Sequence, residues 1–190
     1  MEVEVKLKVA HSNFLEMLDS IGLEYEIAGS YIQEDIYLDF NDCRLLLRDS
    51  ALRVRLSGGS ISITYKGPRR LENGEKIREE LEAFIGSAEC DDILRRIGIP
   101  LKCPHDLMSL LESLRNFSVS ERVRVKKVRT ELRLKGFRQR IYLDRVEGLG
   151  EFVEIEGEGA SELVKKLGMV CNIVIPSYAH LVHALRGSNS

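Results

Sequence analysis

The first nine residues constrain the fold most. Glu2, Glu4, Lys6 and Lys8 alternate with Val3, Val5, Leu7 and Val9. In an extended strand, side chains at period two share a face, so carboxylates and ammonium groups stand in one row while the apolar groups face the other way. A row of both signs has two readings. It is the solvated face of an ordinary amphipathic strand, or it grips a metal-bound polyphosphate, with carboxylates for a hard cation and cationic groups for phosphate oxygens.

The row is not isolated. Arg53 and Arg55 alternate with Leu52, Val54 and Leu56; Ser62, Thr64 and Lys66 alternate with Ile61, Ile63 and Tyr65. Lys127, Arg129, Glu131 and Arg133 repeat the pattern, Tyr142 and Asp144 follow between Ile141 and Leu143, and Glu154, Glu156 and Glu158 close it beside Val153 and Ile155. Period-two segments near 2 to 9, 31 to 40, 51 to 57, 60 to 66, 77 to 84, 121 to 134, 138 to 146 and 151 to 158 predict eight strands. Turn signals at Gly58-Gly59, Gly74 and Lys135-Gly136 imply antiparallel pairing. Helices are predicted from a Ser12 cap to Ile21 and over 88 to 97, 105 to 115, 160 to 167 and 177 to 186. Their apolar stripes need the apolar faces of the sheet, which leaves the charged rows pointing away from the helices.

A chain of 190 residues, 44% hydrophobic and 31% charged, can bury a core and is expected to form one domain over 1–190. With a net charge of −2, no global basic excess argues for a nucleic acid or an anionic membrane as partner. No apolar run approaches the roughly 20 residues of a membrane span, and the chain opens directly on a strand, so a cytoplasmic protein is expected. Cys43, Cys90, Cys103 and Cys171 are scattered without a Cys-x-x-Cys pair and read as free thiols in a reducing compartment. None of the four histidines sits on a charged strand face, and no serine or cysteine nucleophile motif accompanies them.

In an open sheet the charged rows are simply wet. In a closed barrel they converge, and their crowding is costly unless anions and a metal compensate it. The residues then carry a resemblance. Glu2-x-Glu4-x-Lys6 resembles the signature of the CYTH superfamily, which joins class IV adenylyl cyclases and thiamine triphosphatases among the triphosphate tunnel metalloenzymes. Later segments match in order: Gln33-Glu34-Asp35-Ile36-Tyr37-Leu38-Asp39, Ala51-Leu52-Arg53-Val54-Arg55, Thr64-Tyr65-Lys66-Gly67-Pro68, Arg78-Glu79-Glu80, Lys127-Val128-Arg129, Leu143-Asp144-Arg145-Val146, Gly148 through Glu156, and Ser177-Tyr178.

The resemblance implies an α+β fold: an eight-stranded antiparallel closed β-barrel with helices packed outside and the active site in its bore. It implies Mg²⁺ or Mn²⁺ held by Glu2, Glu4, Glu154 and Glu156, with Asp144 beside them and Glu80 as a weaker match. Lys6, Lys8, Arg53, Arg55, Lys127 and Arg129 are implied to bind the triphosphate, with Arg78 a weaker match. Lys66 binds phosphate or, crowded by other cations, takes the proton of the nucleophile. Asp35, Tyr37 and Asp39 are rim structure or substrate contacts, and Ser177 and Tyr178 are first expected as a helix cap and a packing group.

One tunnel fits two reactions. Water attacking the γ-phosphorus makes a triphosphatase acting on a nucleoside, thiamine or inorganic triphosphate; a ribose 3′-oxygen attacking the α-phosphorus makes an adenylyl cyclase releasing cyclic AMP and pyrophosphate. Asp35 through Asp39, Lys66-Gly67-Pro68 and Gly148-Leu149-Gly150 resemble the cyclase branch. The His-Phe pair such cyclases tend to carry ahead of the acidic motif has no counterpart where Met1 precedes Glu2, so hydrolysis is expected first. A non-catalytic polyphosphate sensor would need no complete carboxylate set. A nucleic-acid barrel would need aromatic residues on its binding face, and the chain has no Trp. A homodimer is compatible with the resemblance.

Overall fold

The computed structural model describes residues 1–72 and 75–187, so the turn expected at Gly74 lies outside the described residues. Among the described residues ten strands form, β1 (Glu2–Leu7), β2 (Tyr25–Phe40), β3 (Ala51–Ser57), β4 (Ser60–Lys66), β5 (Arg70–Glu72), β6 (Glu75–Arg78), β7 (Glu80–Phe84), β8 (Val119–Leu134), β9 (Arg140–Val146) and β10 (Gly150–Glu156). The helices are α1 (His11–Ser20), α2 (Arg44–Leu47), α3 (Ala88–Arg96), α4 (Leu107–Arg115), α5 (Ala160–Lys166) and α6 (Tyr178–Gly187). Antiparallel sheet and helices are as expected, and the count of eight strands is corrected to ten. The segment read as one strand over 77 to 84 breaks at Glu79 into β6 and β7, and Arg70–Glu72 adds β5. The described pairings make an open order, and a closed eight-stranded ring is not among them.

The chain divides into two compact units, the first Met1–Ile32, Arg70–Arg78 and Lys126–Ser190, the second Gln33–Arg69 and Glu79–Val125. In the first, strands follow the order β5-β6-β1-β10-β9-β8. Val5 and Leu7 of β1 join Leu132, Ile141, Val153 and Ile155 in a core covered by Phe14 and Leu18 of α1 and by Leu163 and Val164 of α5. Ser12 does not cap α1: Ala10 stands at the cap position, and the His11 amide donates to the Glu151 carboxylate at 2.8 Å. The His11 ring reaches the carbonyl oxygens of Phe152 at 3.1 Å and Asp144 at 3.2 Å. A strand residue thus satisfies a helix terminus that local side chains leave open.

In the second unit the order is β2-β3-β4-β7. Gly58 and Gly59, at φ 56° and 80°, make the tight β3–β4 turn with Ser57 opposite Ser60, a backbone that favours glycine at both positions. Ile36, Leu38, Leu52, Val54 and Ile63 pack with Ile93, Leu94, Leu110 and Leu114 of α3 and α4. Ser87 and Asp106 cap these helices through the amides of Cys90 and Ser109. The expectation of four free thiols is corrected here: Cys90 and Cys103 form a disulfide with their Cα atoms 5.8 Å apart, leaving Cys43 and Cys171 free. The chain turns back after α3, where Ile99 donates to the Leu94 carbonyl and the Cys103 amide to Asp91 at 2.7 Å, so thirteen residues of separation vanish in space. No helix among the described residues is long and apolar enough to cross a membrane.

Candidate functional site

In the first unit β1 lies between β6 and β10, and this register builds the site. Arg78 stands opposite Glu2 and Lys76 opposite Glu4 on one side; Glu156 stands opposite Glu4 and Glu154 opposite Lys6 on the other. Beyond β10, β9 sets Tyr142 opposite Glu154, and β8 sets Arg129 opposite Asp144. Period two then puts Glu2, Glu4, Lys6, Glu154, Glu156, Asp144, Lys127 and Arg129 on one face, with Val5, Leu7, Val153 and Ile155 on the other.

The face is a lattice of ion pairs. Lys6 Nζ lies 3.1 Å from Glu154 Oε1, Lys76 Nζ 3.1 Å from Glu4 Oε1, and Arg78 Nε 3.0 Å from Glu2 Oε2. Asp144 is wholly buried and accepts from Lys127 at 2.8 Å, from Arg129 through both oxygens at 2.7 Å, and from the Tyr178 hydroxyl at 3.0 Å. Arg129 also pairs with Glu154 and approaches Glu156 at 3.7 Å, and its guanidinium lies over the Tyr142 ring. Tyr178 of α6 offers its ring face to Lys6, 4.1 Å from the centroid, and its ring meets that of Phe152 in a T-shaped contact.

Three carboxylates converge. Glu2, Glu4 and Glu156 each bring an oxygen to within 4.8 Å of the others. Burial works to raise Glu154, yet Lys6, Lys127 and Arg129 hold it well below the usual carboxylate range. Burial likewise opposes ionisation of Glu4, which Lys6 and Lys76 keep below its usual value. Glu156 differs: burial, only partly offset by Arg129, together with Glu154, Glu4 and Glu2, pushes its carboxyl up to about 7. Like charges directly opposite across a strand pair are destabilising, and Glu4 opposite Glu156 is such a pair. The trio has the hard oxygen donors and the excess negative charge that suit a divalent cation.

The structure does not bring every candidate into this lattice. Lys8 follows the end of β1, is exposed, donates to the Leu149 carbonyl and lies over Phe152. Arg53, Arg55, Lys66 and Glu80 lie in the second unit. There Arg55 forks onto Asp35 at 2.6 and 2.8 Å, Lys66 pairs with Glu80 at 3.1 Å, and Arg53 donates to Thr64 at 3.0 Å. Burial opposes the charge of Arg53, but Asp35, Tyr37, Glu80 and Glu82 raise its affinity for the proton. Asp39 accepts from the amides of Phe40, Leu45 and Leu46, which makes it the support of α2.

Two participants escaped the sequence reading. Lys76 is buried against Glu4, and burial and Lys6 lower its proton affinity in spite of Glu4. It stands two residues before Arg78, so extending the strand by one step of the alternation would have found it. Tyr178 entered as a packing group, and nothing local to α6 announces that its hydroxyl meets Asp144.

The comparisons agree with this geometry. Residues 1–167 match the family model described as CYTH domain. A protein of Methanocaldococcus jannaschii, named as a candidate adenylate cyclase, is 30% identical over 158 residues, 82% of this chain and 76% of that one. Among solved structures, the PH1819 protein of Pyrococcus horikoshii has a TM-score of 0.69 at 28% identity, covering 96% of this chain and 98% of its own. A Hippeastrum protein, described as a candidate adenylyl cyclase with a dominant triphosphatase activity, has a TM-score of 0.63 at 18% identity over 89% of each chain, a likeness of fold. By its strands, its acidic and basic face and these matches, the chain belongs to the CYTH domain family.

Proposed function

We propose that this chain is a divalent-metal-dependent enzyme that hydrolyses a triphosphate. The observation that carries the reading is the convergence of Glu2, Glu4 and Glu156 on the same face as buried Lys6, Lys127 and Arg129. Family membership supports the triphosphate as ligand. Both compact units are read as parts of one family domain.

Glu2, Glu4 and Glu156 would hold Mg²⁺ or Mn²⁺, which when bound neutralises the trio and draws charge from phosphate oxygens. Lys6, Lys127 and Arg129 bind and orient the phosphate chain. Arg129 presents a planar fork, and the lysines act as point charges. Asp144 and Glu154 were expected among the metal ligands. Their ion pairs give them another part, holding those cations in place so that little rearrangement accompanies the build-up of charge on the departing phosphate. In the second unit Lys66, expected as a phosphate ligand or as a base crowded by cations, pairs with the acid Glu80. Water then attacks the terminal phosphorus, the bond from that phosphorus to the bridging oxygen breaks, and orthophosphate leaves.

A second reading, cyclisation, is favoured by the name of the M. jannaschii relative. Product analysis by phosphorus NMR and chromatography separates the two, after incubation with ATP or tripolyphosphate, with Mg²⁺, Mn²⁺ or chelator. ADP with orthophosphate is expected, cyclic AMP with pyrophosphate assigns the cyclase, and absence of any metal-dependent product overturns the enzyme reading. Glu4→Gln should lower turnover about a hundredfold, a loss of about 2.7 kcal/mol in transition-state stabilisation, with the circular dichroism spectrum unchanged.

A further inference from the structure

We propose that Lys76 is a tethered counter-ion of the acidic trio: it holds Glu4 while no divalent cation is bound and gives up that carboxylate when one enters. The inference rests on the metal-dependent reading above and names the residue that sets the affinity of the trio for its cation. Lys76, the trio and the charges around them all belong to the first unit. Carboxylates whose oxygens lie within 4.8 Å of one another need positive charge beside them, and each member of the trio meets a cation of the chain. Arg78 Nε lies 3.0 Å from Glu2, Lys76 Nζ 3.1 Å from Glu4, and Arg129 3.7 Å from Glu156.

These contacts are unequal. Arg78 and Arg129 carry planar guanidinium groups, and Arg129 is committed to Asp144 and Glu154 as well. Lys76 brings a point charge on a flexible stem, and its partner Glu4 is the buried member of the trio. The other charges that act on Lys76, Lys6 and Glu154, pair with each other at 3.1 Å. A divalent cation on the trio competes for the carboxylate that Lys76 holds, and two cations on one carboxylate repel each other. Of the three contacts, the lysine's is the one that yields. The backbone beneath it is pinned. Lys76 stands opposite Glu4 of β1 and Leu71 of β5, and the preceding Glu75 accepts from the Ser161 amide of α5 at 2.9 Å. The exchange is therefore a movement of one side chain, and the strands that carry the carboxylates stay where they are.

Lys76→Met and Lys76→Arg test this in opposite directions. Calorimetry on the whole chain with Mg²⁺ or Mn²⁺ alone should show about tenfold tighter binding in Lys76→Met, where the cation displaces no ammonium. Binding should weaken in Lys76→Arg, whose fork is harder to displace from a carboxylate. Thermal midpoints give the second readout. Lys76→Met should lose stability without metal and regain most of it at saturating Mg²⁺, because the cation then neutralises Glu4; a variant that folds only with metal is the same result at its extreme. Lys135→Met removes an exposed cation of the same unit, paired with Glu24, and should leave the affinity unchanged. Equal shifts in Lys76→Met and Lys135→Met reduce the effect to net charge and overturn the exchange. An equal loss of midpoint with and without metal makes Lys76 a structural partner only and overturns it too, as do unchanged affinities in both Lys76 variants; the metal reading then stands. A wild-type protein that binds neither cation overturns that reading and this inference together.

Discussion

The polar faces of the two units are written in the same alternating code and are built differently. In the first, cations and acids form a shared lattice in which Asp144 meets three donors and Glu154 meets Lys6, Lys127 and Arg129, with three carboxylates gathered beside it. In the second, Asp35 meets Arg55 and Arg53, Glu80 meets Lys66 and Arg53, and Arg53 also donates to Thr64, with no trio of carboxylates gathered beside them among the described residues. Alternation alone therefore says that a face is polar, and the partners across the neighbouring strands decide whether it concentrates charge.

The largest break in this contrast comes from Asp144→Ala. It leaves Lys127 and Arg129 without their shared buried carboxylate and should lower unfolding free energy by about 3–5 kcal/mol, read by urea titration. Asp35→Ala removes the fork from the partly accessible Arg55 and the longer contact with Arg53 and should cost about 2 kcal/mol; equal losses would erase the distinction between the two faces. Between these two in size, Cys103→Ser opens a loop closed by a disulfide in the second unit alone, and about 3 kcal/mol is expected from a loop of that length. Native-state hydrogen exchange should show the loss among the amides of α3 and α4, and an even loss across both units would mean that they unfold as one.

The smallest effect is the sharpest. Glu156, with its carboxyl raised to about 7, binds a proton in the folded state that the unfolded chain has released, so its contribution to metal-free stability declines from about pH 4.5 to 7. Glu4 and Glu154, held low, act in the opposite sense: their contribution is present above about pH 4.5 and is lost as the pH falls through their folded values. A cation on the trio needs Glu156 ionised, so Mg²⁺ affinity should climb with pH to about 7 and level above it. Calorimetry between pH 5.5 and 8 checks the slope, and a slope that persists in Glu156→Gln would place the proton on another group.

Much of the frame was legible. β1, β3, β4, β9 and β10 follow from alternation, and Gly58-Gly59 names its own hairpin because both positions have positive φ. What escaped depends on distant chain. Lys76 lies just outside the strand that alternation predicts from Ile77, and pairing with β1 extends that strand back to it. Ser12 is a good cap by type, but Glu151 already satisfies the first turn. The 90–103 disulfide and the meeting of Tyr178 with Asp144 are products of chain return, on which local periodicity is silent.

That Glu151 cap lies 140 positions downstream of the amide it receives, which bears on the order of assembly. The N-terminal segment leaves synthesis first, yet β1 finds its hydrogen-bonding neighbours in β6 and β10, and α1 gains its terminal acceptor only when the strand after Gly150 exists. The acidic trio is thus a late event in the life of the chain, complete only when Glu156 has been made. Contacts of such long sequence separation slow folding, because loop entropy is spent before the reward arrives. A fragment ending before β10 carries the signature motif and cannot carry the site.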